Sequence, residues 1–149
     1  MKVQEKQVIS LFPGIDLVFG TVHLSVQKAD NQRRYLIRHN PANQSCVFVK
    51  LTNDNNAADD DSAGLSIYFD LCEMKQIHGY GSLFDELPTQ LENLIERLTL
   101  CSKESVSISH SFLLGIVDNF YDNPLPEEYS IRYYQLKVAE IIVFLSGMF

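Results

Sequence analysis

Apolar positions recur along the final stretch of the chain with a period close to that of an α-helix. From Glu127 to Phe149, Ile131, Tyr134, Val138, Ile141, Ile142, Leu145 and Met148 follow one another every three or four residues. The other face is not polar either, because Tyr133, Leu136, Ala139, Val143 and Phe144 cover much of it. A helix that is apolar nearly all round must be covered on several sides. Its cover is this chain's own core, a second chain, or both. The helix is expected to stop at Ser146-Gly147-Met148-Phe149.

The first half of the chain has a different period. Gln7–Phe12 reads as a strand, and Pro13-Gly14 as a turn. Ile15–Val26 is extended, with the alternation changing parity at Gly20, the signature of a bulge or bend. Arg34–Arg38 and Ser45–Leu51 are two more strands, separated by Asn40-Pro41-Ala42-Asn43. Leu65–Leu71 alternates most cleanly, with Leu65, Ile67, Phe69 and Leu71 on one side. Between these strands, Thr52–Gly64 has no period and reads as a surface loop. Its consecutive Asp59, Asp60 and Asp61 lack the spacing and central Gly of a calcium loop.

After Cys72 the period lengthens. Leu91, Leu94, Ile95 and Leu98 mark a helix, with Thr89 and Glu92 spaced as a capping box. Phe112, Leu113, Ile116, Val117 and Phe120 mark another over Ser109–Tyr121. Strands before Cys72 and at least three helices after it make an α+β chain. At 149 residues it is expected to be one domain, with a β part over 1–72 and a helical part over 73–149.

Composition narrows the function. A net charge of −7 argues against direct contact with nucleic acid and against an anionic membrane surface. The run Val138–Leu145 is too short to span a bilayer, and no apolar leader follows Met1-Lys2. Cys46, Cys72 and Cys101 form no paired motif and read as reduced thiols of a cytoplasmic protein. His23, His39, His78 and His110 have no metal-ligand spacing, and no nucleophile or phosphate-loop motif occurs. Asp85-Glu86 and Glu127-Glu128 sit at helix starts, where the helix dipole favours negative charge. No catalytic residue, metal or cofactor is expected, so the chain reads as a non-enzyme. Arg33, Arg34, Arg38, His39 and Lys50 form the most basic part, read first as a solvated hairpin and second as an anion-binding lip.

The segment SHSFLLGIVDNFYDNPLPEEYSIRYYQLKVAEIIVFLSGM resembles the helical end of the regulatory domain in AraC-type transcription regulators. Tyr134, Leu136, Lys137, Val138, Glu140, Phe144, Leu145 and Ser146 carry the resemblance, and LFPGIDLVFG (Leu11–Gly20) and GLSIYFDL (Gly64–Leu71) extend it in the same order. The resemblance implies a cupin-like β-barrel or partial β-sandwich that senses a small-molecule effector, followed by a helical dimerisation segment. In that family a DNA-binding domain of two helix-turn-helix units follows; none follows Phe149 here, so a regulatory domain without its DNA-binding domain is expected. The alternative is a stand-alone cupin-like small-molecule-binding or interaction protein.

Two sets of site residues follow. Tyr35, Ile37, Phe48 and Tyr68 are the effector candidates, because binding pockets are mainly apolar and aromatic; as ordinary strand residues they would be core or surface. Tyr134, Val138, Ile141 and Leu145 are the candidate homodimer stripe. The alternative for these four is burial within one chain, with Leu91, Ile95 and Leu98 as the facing wall.

Overall fold

The computed structural model describes residues 7–19, 34–39, 47–50, 64–100 and 105–148. Six strands form one antiparallel sheet: β1 (Gln7–Phe12), β2 (Ile15–Phe19), β3 (Arg34–His39), β4 (Val47–Lys50), β5 (Leu65–Asp70) and β6 (Ser105–Ile108). Their spatial order is β1-β2-β5-β3-β4-β6. The helices are α1 (Leu71–Met74), α2 (Ser82–Asp85), α3 (Leu87–Leu100), α4 (Ser111–Tyr121) and α5 (Glu127–Met148). The α+β expectation holds. The barrel does not: the described strands lie in one open sheet with β1 and β6 at its two edges.

Register explains why the helices collect on one face. Ile9 pairs with Leu17, Leu17 with Ile67, Ile67 with Ile37, Ile37 with Val49 and Val49 with Val106. Side chains alternate between the faces of a strand. One apolar row therefore crosses all six strands on the same face. Ile15, Phe69 and Tyr35 form a second row, and Phe19, Leu65, His39, Val47 and Ile108 a third. Helices α3, α4 and α5 close over these rows, and Leu91, Leu94, Leu98, Leu113, Ile116, Val117, Phe120, Val138, Ile141, Ile142 and Leu145 join them in one buried core.

Three sequence expectations change. A strand, β6, follows Cys72 and pairs with β4; its four residues are too few to show a period. Leu71 opens α1 rather than ending β5, because the Asp70 carboxylate accepts hydrogen bonds from the amides of Cys72 (3.0 Å) and Glu73 (3.3 Å). Helix α3 begins at Leu87, so Thr89 lies inside it and no capping box forms there. Pro88 is accommodated because first-turn amides have no helical partner. Helix α5 ends at Met148, within the stretch where its stop is expected. The bend at Gly20 and the loop Thr52–Ala63 lie outside the described residues, as do Cys46 and Cys101.

The β1–β2 turn is the tightest point in the fold. Gly14 has φ +82°, and a Cβ built there would stand 2.5 Å from the Asp70 carbonyl oxygen and 2.7 Å from the Met74 nitrogen. Its own carbonyl accepts from the Asp70 amide at 2.8 Å. The turn is thus pressed against the β5–α1 junction, where only glycine fits. Gly14→Ala should lower the free energy of unfolding by at least about 1–3 kcal/mol, from backbone strain alone. Urea denaturation of the two proteins checks this; a midpoint unchanged from the parent contradicts it.

Candidate functional site

The two sequence-derived sets do not form the sites expected of them. Tyr35 and Ile37 lie on the helix-facing side of the sheet and are buried in the core. Tyr68 pairs with Leu36 and Asp16, and Phe48 pairs with Arg38, so both occupy positions on the opposite face. The sheet therefore separates the strand positions of the four into two pairs. The basic lip separates in the same way. Arg38 donates from Nε to Ser66 Oγ (3.2 Å) on the outer face, whereas His39 is buried on the inner one. Arg33 lies outside the described residues.

The proposed dimer stripe is also committed elsewhere. Val138, Ile141 and Leu145 have no exposed surface and Tyr134 keeps 8%. All four pack inside this chain, with Leu91, Leu94 and Leu98 of α3 and Leu113, Ile116 and Phe120 of α4 in the same core. Tyr134 stacks on Phe120 with ring centroids 5.5 Å apart and also meets Phe19 of β2. These residues have no surface left to offer a second chain.

What α5 does expose is its other apolar side. Leu136 is 48% exposed, Val143 44%, and Phe112 of α4, expected in the core, 55%. Phe112 packs on Phe144 (5.1 Å), and His110 meets the same ring (4.9 Å). His110 also caps α4, its Nδ1 accepting from the Phe112 amide at 3.1 Å. Phe112 thus stands outside the core, against Phe144. Leu83 of α2, Phe112, Leu136, Ala139, Glu140, Val143 and Phe144 line a groove of about 460 Å³. Lys137 and Glu140 pair at 2.9 Å beside it, and Lys137 lies over the Tyr133 ring. The result is an apolar centre with a charged rim. Its signal was present in the sequence, in the off-stripe apolar residues Leu136, Val143 and Phe144.

The end of α4 is joined to the sheet by a polar contact. Tyr121 Oη donates to the His39 carbonyl (3.4 Å) and lies 3.0 Å from His39 Nδ1, with the two rings edge to face. Burial pushes the Tyr121 phenol from 10.0 up to about 12; a backbone hydrogen bond at Leu65 opposes this, and the Asp118 charge adds to it. Asp85 is structural: its carboxylate accepts from the amides of Gly79 and Tyr80. Among the described residues no three His, Cys, Asp or Glu side chains gather as metal ligands, and no helix is long and apolar enough to cross a membrane.

Comparison with protein-family models, curated proteins and solved structures yields no match.

The Tyr121 contact carries a pH prediction. Its phenol titrates higher folded than unfolded, so its contribution to stability is complete below pH 10.0 and is lost as pH rises toward about 12. Alkaline absorbance titration should show one late-ionising phenol that is missing in Tyr121→Phe. An identical titration in the variant contradicts the assignment.

Proposed function

We propose that the chain is a non-enzymatic regulatory domain, of the kind found in AraC-type transcription regulators, that senses a small molecule and forms a homodimer through the outer side of α5. The observation that carries this reading is the apolar stripe of exposed Leu136 and Val143 with half-buried Phe144, continued by Phe112 and Leu83. A two-fold dimer needs one self-complementary patch, and an apolar centre within a charged rim is the usual anatomy of an interface. Lys137 and Glu140, which form that rim, are among the residues that carry the family resemblance.

The same reading gives the chain a cupin-like β part. In its support, Val18 and Leu36 are buried although they lie on the sheet face turned away from the helices. One layer of a two-layered β part requires such burial. Recognition of DNA would then belong to a separate domain, in keeping with the acidic charge of this chain.

Two variants on α5 separate the surfaces. Val143→Glu places a charge at the centre of the outer stripe and should weaken self-association at least about tenfold while leaving the fold intact. Ile141→Glu places it in the core and should unfold the chain, since an unpaired buried charge costs several kcal/mol. Sedimentation over a concentration series, with circular dichroism on each variant, measures both. A parent that stays monomeric at high micromolar concentration rules out the dimer and leaves stand-alone small-molecule binding.

A further inference from the structure

A second pocket, of about 620 Å³, lies on the other side of Leu136, where the loop before α2 arches over the first turns of α5. That size is within the range of small-molecule sites. Its apolar lining is Tyr80, Phe84, Ile131 and Leu136; its polar groups are Arg132 and Gln135. The rim is held in place. Gly79 and Gly81 take φ values of +83° and +108°, and Asp85 fixes the loop by accepting from the amides of Gly79 (3.2 Å) and Tyr80 (3.0 Å). The Tyr80 and Phe84 rings both rest on buried Phe12, each at 5.2 Å. Gln135 donates to the Leu11 carbonyl at 2.7 Å and ties the floor to β1.

Arg132 is the odd member of this set. The chain carries 19 acidic and 12 basic side chains. Glu128 stands one helical turn before Arg132, the spacing at which such pairs form. Yet among the described residues Arg132 makes no ion pair and no hydrogen bond. A guanidinium without an acidic partner, beside two aromatic rings and two aliphatic side chains, is complementary to a ligand with one anionic end and an apolar body.

We infer that this pocket binds a small amphipathic monocarboxylate. The Arg132 guanidinium takes the carboxylate through paired N–H donors, and Tyr80, Phe84, Ile131 and Leu136 take the apolar part. A multiply charged phosphate ester fits less well, because there is one cation and the Asp85 carboxylate is close by. This inference deepens the sensing role proposed above and rests on that reading for its purpose, though not for the binding itself. It moves the effector from the sheet to the helical half, next to the groove that shares Leu136.

The test is titration of the whole chain with octanoate, benzoate and 1-octanol, followed by amide chemical shifts and calorimetry, on the parent and on Arg132→Gln. Saturable binding of octanoate or benzoate is expected, with shifts centred on Gly79, Tyr80, Arg132 and Leu136. Arg132→Gln should weaken it at least about tenfold, and 1-octanol should bind the parent no better than octanoate binds the variant. Neither acid saturating in the millimolar range, equal affinity in Arg132→Gln, or shifts centred elsewhere overturns the site. Sedimentation of the same samples keeps the two readings apart: a monomer that binds octanoate upholds the pocket and removes the dimer, and a dimer that binds neither acid does the reverse.

Discussion

Everything in the helical half depends on the apolar row that crosses the sheet from Ile9 to Val106. Because β1, β2, β5, β3, β4 and β6 present that row on one face, a single long helix can lie against it and a core can form on that side. Burial of each large aliphatic side chain is worth roughly 1.5–3 kcal/mol, so a one-residue slip of register would forfeit many such contributions together. Two hydrogen bonds fix the position of α5. Gln135, in its third turn, donates to the Leu11 carbonyl, and Arg97 of α3 donates to the Ser146 carbonyl in its last turn (2.7 Å). With its inner side packed in this way, the outer side of α5 is the part left exposed.

The strands and main helices were legible because their side-chain periods are strong. Gln7–Phe12 and the start of α5 at Glu127 stand where the pattern put them. Local chemistry was harder to read. The Asp70 cap converts Leu71 from strand to helix, and Phe112 stands outside the core although its spacing places it among core residues. A period of 3.6 identifies which residues share a face, but not which of two apolar faces is the buried one. On α5 both stripes were visible, and their assignment depended on where β1, α3 and α4 fall in space.

The effector candidates fall on different faces for a related reason. Tyr35, Ile37, Phe48 and Tyr68 were grouped by residue type, and type says nothing about facing. Strand parity and the β3–β5 register put them on two sides of one sheet. The pocket beside α5 could not be read from spacing, since its walls come from a loop held open by glycines and from a helix some fifty residues later. Only Arg132 marked it, as a basic residue one turn beyond Glu128 that forms no pair with it.

The inner stripe of α5 is core, and the outer stripe is the proposed self-association surface. Disulfide trapping separates the two, in a background where Cys46, Cys72 and Cys101 are replaced by serine. Val143→Cys is expected to give covalent dimers under mild oxidation, while a cysteine at exposed Glu92 of α3 is not. Equal trapping at Glu92, or none at Val143 at concentrations where the parent sediments as a dimer, would contradict it.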